Sequence, residues 1–90
     1  MSFIIDFKDE AKRDLEKHQK AGQKIVLKKI KDFTLECQSN PRTGTGKPEQ
    51  LKYRQPETWS RRINDKHRFV YEIEGQIIHI LSVWGHYKDK

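Results

Sequence analysis

The spacing of the apolar residues divides the chain into a helical first part and a β-rich second part. A short apolar run at residues 3–7 has the composition of a strand. In segments 8–20 and 23–38 the apolar residues recur every three or four positions, which places them on one face of a helix. We therefore predict one strand followed by a helical hairpin, with Asp6 or Asp9 as the cap of the first helix.

The second part begins with a polar loop, residues 39–48, which holds four of the eight glycine and proline residues of the chain. Alternating apolar and polar positions then favour strands. The four predicted strands are Glu49–Tyr53, Thr58–Ile63, Arg68–Glu74 and Gln76–Trp84. Short turn-forming connections separate them, including a tight turn at Gly75, so we expect an antiparallel meander.

This order of elements, β-α-α-β-β-β-β, segregates helices from strands and is typical of an α+β fold. Each helix has an apolar stripe that must be covered. A helical hairpin packed on one face of the sheet covers both stripes and leaves the other face open. We expect any polar functional site to lie on that open face.

The length of 90 residues predicts a single domain spanning residues 1–90 and excludes a multidomain enzyme. The only cysteine, Cys37, permits no intramolecular disulfide, and the chain has no signal-type segment and no run of 18 apolar residues. These features predict a soluble protein of the reducing cytoplasm. Residues 44–52 lack the glycine spacing of a nucleotide-binding phosphate loop, and no metal-ligand pattern surrounds Cys37, so we expect neither cofactor nor metal.

The charge of the chain points to an acidic partner. Lysine and arginine number 19 against 13 aspartate and glutamate, which gives a net charge of +6. The excess is concentrated in segment 42–68, where eight basic residues face three acidic ones. A local excess of this kind is typical of a surface that binds phosphate groups, and nucleic acid is the first candidate.

Glu49 and Arg68 are candidate catalytic residues, and each has a plainer alternative. Glu49 begins a predicted strand between two lysines, whose charges favour the ionised form that a base needs. The alternative is a solvated ion pair at a strand end. Arg68 begins a later strand, where its guanidinium could bind a phosphate with two hydrogen bonds. The alternative is an ordinary ion pair with Glu72 or Glu74.

His86 is a candidate acid because it directly follows the most apolar predicted strand, which fixes it better than a free tail could. The alternative is a surface histidine near a chain end. A base, a phosphate-binding arginine and an acid together suggest a metal-free ribonuclease. RNA carries its own nucleophile, the 2′-hydroxyl, so the enzyme has only to move two protons and stabilise the charge on the phosphate.

Four motifs of this sequence resemble the YoeB/Txe branch of the RelE-type bacterial toxins. They are Gly46-Lys47-Pro48-Glu49-x-Leu51-Lys52, Trp59-Ser60-Arg61-Arg62-Ile63, His67-Arg68-x-Val70-Tyr71 and His86-Tyr87. The resemblance extends over nearly the whole chain, and the joint spacing of the four motifs is specific. It implies a microbial-ribonuclease-like fold of the RelE type, with two helices on one face of a curved, mainly antiparallel sheet.

The resemblance also implies an activity, that of a toxin from a type II toxin–antitoxin system. Such a toxin is a ribosome-dependent endoribonuclease, or mRNA interferase, that cleaves messenger RNA in the ribosomal A site. By position, Glu49 matches the family's general base, Arg68 its phosphate-stabilising arginine and His86 its general acid. The residues that match RNA-binding positions, or support them, are Lys52, Arg62, His67, Tyr87, Lys47 and Arg61. Trp59 is expected to pack in the fold and not to stack on a base.

The partners that the resemblance implies are a cognate YefM-like antitoxin, the ribosome and messenger RNA, with a homodimer as a further candidate and no membrane. Two other functions stay open at this point. The first is a non-enzymatic toxin of the ParE type, which binds DNA gyrase and lacks the base and acid pair. The second is an RNA-binding module without catalysis.

Overall fold

The computed structural model describes residues 2–52 and 54–85. The chain forms the seven elements β1 (Ile4–Phe7), α1 (Asp9–Lys20), α2 (Lys24–Ser39), β2 (Glu49–Leu51), β3 (Glu57–Arg62), β4 (Arg68–Glu74) and β5 (Ile77–Ser82). The predicted order of one strand, two helices and four strands is confirmed. Within the described residues no helix is long and apolar enough to cross a membrane.

The strands form one five-stranded sheet in the order β1-β5-β4-β3-β2. The last four strands are the predicted antiparallel meander. β1 lies parallel to β5, with Ile4 opposite Ile77. The connection from β1 to β5 runs through the helical hairpin and the other three strands, and a long connection is required because a tight turn can join only antiparallel neighbours. The predicted α+β fold with a mainly antiparallel sheet is thus confirmed.

Two strands are shorter than predicted. β2 ends at Leu51, and Tyr53, the predicted last residue, lies outside the described residues. β5 ends at Ser82 and not at Trp84. The physical reason for the early end of β5 is that the backbone of Val83 leaves the sheet and bonds two side chains of α1 instead.

The core lies between the helices and one face of the sheet. On α2 the predicted apolar stripe of Val26, Ile30, Phe33 and Cys37 is buried. Alternate residues of the central strands meet it, among them Phe69, Tyr71, Ile78 and Ile80. Full burial of each large apolar side chain contributes about 1.5–3 kcal/mol, so this layer supplies most of the driving force that fixes the helices on the sheet.

The start of α1 differs from the prediction. The residue before the helix is Lys8, and no side chain caps its first turn. Asp9 lies inside that first turn, where its negative charge interacts favourably with the helix dipole. Asp6 belongs to β1 and pairs with Lys8 and His79. The prediction that Asp6 or Asp9 caps α1 is therefore wrong.

Arg61 is a charged residue at the centre of the fold, with a relative exposure of 0%. Its guanidinium donates at 2.7–3.1 Å to the Tyr71 hydroxyl, to the Glu36 carboxylate and to the backbone carbonyls of Asn40, Thr43 and Thr45. A buried charge is tolerated only where such partners replace its water. These hydrogen bonds consequently hold the predicted loop 39–48 against the helix side of β3. The loop leads directly into β2.

The groups around Arg61 titrate far from neutral pH. Burial opposes the ionisation of Glu36, but hydrogen bonds from Thr45 and Arg61 outweigh it and hold the pKa of that carboxyl below its usual value. Burial raises the pKa of the Cys37 thiol to about 11. Cys37 is therefore a protonated, buried core residue and not a nucleophile.

We expect Arg61→Lys to lower the free energy of unfolding by about 2–4 kcal/mol, because a lysine cannot reach both Glu36 and the loop carbonyls and leaves buried acceptors without donors. Urea denaturation of the purified variant measures this loss. The neighbouring Arg62→Lys is the matched control, because Arg62 is exposed and its replacement should change stability by no more than about 0.5 kcal/mol. Equal losses in the two variants would contradict the structural role of Arg61.

His79 should make stability depend on pH. Its ring lies on the sheet face away from the helices, 2.9 Å from Glu74 Oε1 and 2.8 Å from Asp6 Oδ2. The hydrogen bond to Glu74 and then that to Asp6 raise the pKa of His79 above its ordinary value of 6.5. The folded state therefore holds the proton more tightly, and the stabilisation is complete below pH 6.5 and lost as the pH rises through the raised pKa.

We expect the stability difference between the wild type and His79→Gln to be larger at pH 5.5 than at pH 9. Glutamine keeps a polar side chain but cannot gain the charge that both carboxylates attract. Urea denaturation at the two pH values measures the difference. If the difference is the same at both, the ion pairs of His79 do not contribute to stability.

Candidate nucleic-acid interface

The sheet face away from the helices carries three of the predicted site residues. In an antiparallel pair, directly opposed residues point to the same face. Glu49 on β2 is opposite Ser60 on β3, and Ser60 is opposite Val70 on β4. Two positions along the same strands, Arg62 is opposite Arg68. The register therefore brings Glu49, Arg62 and Arg68 to one end of one face.

Glu49 is the first residue of the edge strand β2 and is exposed. It is separated from Arg68 by two strand spacings and two residues along the strand, which places their Cα atoms roughly 12 Å apart. Both side chains extend from the same face of the sheet. The register therefore places a carboxylate and a guanidinium on the same face, two strands apart.

Arg62 and Arg68 form a directly opposed pair of like charges at the ends of β3 and β4. Like charges in this position destabilise a sheet unless an anion lies near them. Arg62 forms an ion pair with Asp65, but both side chains are well exposed, and a pair of that kind contributes little. Arg68 is half-buried, which restricts its guanidinium more than that of a surface arginine. The two arginines together are suited to bind a phosphate.

Lysines extend the positive surface beside Arg62. Lys47 is exposed in the loop before β2 and has a φ of 50°, a left-handed conformation that few residues other than glycine adopt. Lys29 of α2 donates from Nζ to the Ile63 carbonyl at 2.7 Å. A cavity of about 410 Å³ has both lysines, Arg62 and Asp65 among its lining residues. Lys52 is exposed directly after the last residue of β2.

Lys29 also belongs to this surface, although its sequence context does not predict it. On α2 it is one of several lysines beside the apolar stripe, and such lysines are typical of a solvated helix face. Its contact with the end of β3 depends on how the helix docks on the sheet. No signal within the sequence of α2 distinguishes it from Lys24, Lys28 or Lys31.

Two residues that were expected to contact or support RNA are interior. Arg61 has a relative exposure of 0% and uses its donors on Glu36, Tyr71 and loop carbonyls. His67 has a relative exposure of 1% and accepts a hydrogen bond from Gly85 N–H at 2.8 Å. Neither side chain is accessible to a ligand at the surface. In this structure both side chains hold backbone segments together, and their roles toward RNA stay predictions.

Trp59 packs against the core, as predicted. It is on the helix side of β3, and its indole nitrogen donates to Glu57 Oε2 at 2.7 Å. Glu57 is in turn bound by both Nε and Nη2 of Arg42, at 2.8 and 2.9 Å. Trp59, Glu57 and Arg42 together stabilise the end of β3 that lies away from Arg62, so they are not part of the charged site.

The predicted acid, His86, and its neighbour Tyr87 lie outside the described residues. The chain leading to them is described as far as Gly85. The carbonyl of Gly85 accepts a hydrogen bond from the backbone N–H of Arg68 at 2.9 Å. The chain therefore returns from β5 to the start of β4, beside the arginine pair, one residue before His86.

Comparison with known proteins identifies a family that this chain matches. A family model described as a YoeB-like toxin of bacterial type II toxin–antitoxin systems matches residues 7–87. The toxin YoeB of Escherichia coli K12 is 38% identical over 64 residues, which cover 71% of this chain and 76% of that protein.

Solved structures show the same fold. A YoeB dimer from Staphylococcus aureus superposes with a TM-score of 0.83 at 35% identity and covers 97% of this chain and 100% of its own. A heterotetrameric YoeB–YefM toxin–antitoxin complex from the same organism matches with a TM-score of 0.79 at the same identity and coverage. With a family model over most of its length and relatives above 30% identity, the chain belongs to the YoeB family of bacterial type II toxins.

Proposed function

We propose that this protein is a ribosome-dependent endoribonuclease of the cytoplasm that cleaves messenger RNA in the ribosomal A site. The observation that carries the proposal is the shared open face of Glu49 and the Arg62–Arg68 pair. A carboxylate facing two guanidiniums suits a reaction in which a proton leaves a hydroxyl while negative charge accumulates on a phosphate. Membership of a toxin family supports the same reading.

In the proposed reaction Glu49 removes the proton of the 2′-hydroxyl, whose oxygen attacks the adjacent phosphorus. Arg68 stabilises the charge of the phosphorane. His86 donates a proton to the 5′-oxygen as the bond from phosphorus to that oxygen breaks. The products are a 2′,3′-cyclic phosphate and a 5′-hydroxyl, so atoms and protons balance without a cofactor.

The positive surface around Arg62 holds the RNA backbone in this proposal. Lys47, Lys52 and Arg62 are exposed at the edge of the site, and Lys29 lines the same cavity as Lys47. Tyr87 is placed beside the acid by its position in the sequence. The chain is too small to enclose a long RNA, so the ribosome is the partner that presents the messenger.

We further propose two protein partners. The Staphylococcus aureus relative forms a complex with the antitoxin YefM and has also been solved as a dimer. A surface with a net charge of +6 attracts an acidic disordered segment for the same reason that it attracts RNA. A YefM-like antitoxin and a second copy of this chain are accordingly the expected partners.

Glu49→Gln should lower the rate of messenger cleavage by about 10²- to 10⁴-fold, because the amide keeps the shape of the carboxylate but cannot accept the 2′-hydroxyl proton. Primer extension on messenger RNA bound to purified ribosomes, under single-turnover conditions, measures the rate. Glu10→Gln is the control, because Glu10 is exposed on α1, on the other side of the sheet.

The outcomes separate the alternatives. Full-rate cleavage by a folded Glu49→Gln protein would remove Glu49 from the mechanism. Wild-type protein that binds ribosomes and leaves every message intact would support an RNA-binding module. Intact messages together with damaged DNA in growing cells would support a gyrase poison.

Arg62→Gln should weaken RNA binding in a salt-dependent way. Loss of one phosphate contact from single-stranded RNA reduces the slope of log affinity against log salt by about 0.7. Titration of a 2′-O-methylated RNA, which cannot be cleaved, at several salt concentrations measures the slope. Arg13→Gln removes the same charge from the exposed surface of α1 and should leave the slope unchanged. Identical slopes for the two variants would place the phosphates elsewhere.

A further inference from the structure

Four hydrogen bonds hold the short segment Val83–Gly85 between the end of β5 and His86. Two of them involve Val83 and come from α1. Asp14 Oδ2 accepts the Val83 N–H at 3.0 Å, and His18 donates from Nε2 to the Val83 carbonyl at 2.9 Å. Both side chains are buried, with relative exposures of 3% and 0%. Two polar side chains of α1 are thus buried, and both bond to the backbone of Val83.

The other two hydrogen bonds involve Gly85 and come from the start of β4. His67 Nδ1 accepts the Gly85 N–H at 2.8 Å, and the Arg68 N–H donates to the Gly85 carbonyl at 2.9 Å. Because Nδ1 is the acceptor, the neutral ring of His67 carries its proton on Nε2. His67, directly before β4, and Arg68, its first residue, therefore bond to both backbone polar groups of the residue that precedes His86.

The rings between these hydrogen bonds are packed against one another. The centroids of His18 and His67 are 4.8 Å apart, and each lies within 4.7 Å of the Trp84 ring. Apolar side chains would fill the same space without the desolvation cost of two imidazoles. His18 Nε2 and His67 Nδ1 are instead directed at the backbone on either side of Trp84, while His18 Nδ1 lies 2.8 Å from Gln23 Oε1. These hydrogen bonds explain why positions 18 and 67 are histidine although both are buried.

Gly85 has a φ of +75°, which L residues other than glycine rarely adopt. The chain makes its turn towards the start of β4 at this residue. A turn of this kind, bonded at both its N–H and its carbonyl, has a defined direction. The backbone is therefore fixed as far as Gly85, one residue before His86 in the sequence.

We propose that His67, together with His18 and Asp14, positions the general acid, by fixing the segment from which His86 extends. This inference rests on the proposed function, in which His86 protonates the leaving 5′-oxygen. An acid must lie within hydrogen-bond reach of the atom it protonates, and a displacement of 1 Å can cost about 10²-fold in rate. His67 is accordingly a positioning residue and not an RNA contact.

The test compares His67→Asn with His67→Leu. Asparagine and leucine have nearly the same shape, but the side-chain oxygen of asparagine can occupy the place of Nδ1 and accept the Gly85 N–H, whereas leucine cannot. Both variants leave the same gap beside Trp84, so the difference between them reports the hydrogen bond. Each is measured by single-turnover cleavage of ribosome-bound messenger RNA.

Two substrates are used with each protein. One is ordinary messenger RNA, and the other carries a 5′-bridging sulfur at the bond that the wild type cuts. A thiolate is a good leaving group and needs no proton, so cleavage of the sulfur substrate does not require the acid. On ordinary RNA we expect His67→Leu to lose about 10²-fold and His67→Asn to lose less than 10-fold. On the sulfur substrate His67→Leu should return to within about 10-fold of the wild type, whereas Glu49→Gln should stay slow on both.

Equal losses for His67→Asn and His67→Leu would overturn the inference, and so would a loss in His67→Leu that persists on the sulfur substrate. If His67→Leu does not fold, the pair His18→Gln and His18→Met gives the same comparison, because glutamine keeps a donor near Nε2 and methionine has a similar shape without one. Persistence of the His18→Met loss on the sulfur substrate would overturn the inference equally. A wild type that cuts neither substrate would instead refute the proposed function, and the inference with it.

A spectroscopic measurement separates positioning from general loss of structure. With 5-fluorotryptophan in place of both tryptophans, the ¹⁹F resonance of Trp84 reports the segment and that of Trp59 reports the core. We expect His67→Leu to shift or broaden the Trp84 resonance and to leave the Trp59 resonance unchanged, with His67→Asn close to the wild type. Equal changes at the two tryptophans would mean that His67 supports the whole fold and not the acid.

Discussion

The guanidinium of Arg61 joins parts of the chain that no other single group connects within the described residues. It bonds the end of α2 through Glu36, the following loop through three carbonyls, and β4 through Tyr71. That loop leads into β2, the strand on which Glu49 is exposed. The position of a surface carboxylate is thus set by a buried cation on the opposite face of the neighbouring strand.

This arrangement divides the tasks of two adjacent arginines. Alternation along β3 directs Arg61 into the core and Arg62 to the open face, so the two have opposite environments although they are neighbours in sequence. Arg61 is desolvated and fully paired, and its contribution is to structure. Arg62 is exposed opposite Arg68, and its contribution is to charge. A positive net charge therefore counts basic residues of two kinds, of which only one attracts a polyanion.

The sequence alone predicted much of this fold because its signals are local. The apolar stripe of α2, the turn at Gly75 and the alternation in β3 and β4 can each be read within a few residues. The burial of Arg61 and His67 could not be predicted in this way. Their partners, Glu36 and Gly85, lie 25 and 18 residues away in the chain. Arg61 and His67 themselves lie in basic motifs, which are typical of a surface that binds RNA.

The same limit applied to the end of β5. The apolar residues continue through Val83 and Trp84, so the strand pattern extends to Trp84, yet the sheet ends at Ser82. What ends it is competition for the backbone of Val83 by Asp14 and His18, which lie more than 60 residues earlier. A strand can be recognised from its own residues, but the residue at which it ends depends on which groups elsewhere offer its backbone better hydrogen bonds.

The antiparallel ladder of β3 and β4 is consequently the common support of the whole proposed site. Its outer edge carries β2 and Glu49, and its end presents Arg62 and Arg68. At the start of β4, Arg68 and the preceding residue His67 bond to Gly85, which precedes His86 in the chain. Glu49, Arg68 and the backbone that precedes His86 come from three separate stretches of sequence, but each is held by hydrogen bonds to the same ladder or belongs to it. A small protein can in this way hold three groups in register without enclosing its substrate, provided that the substrate is held by a larger partner.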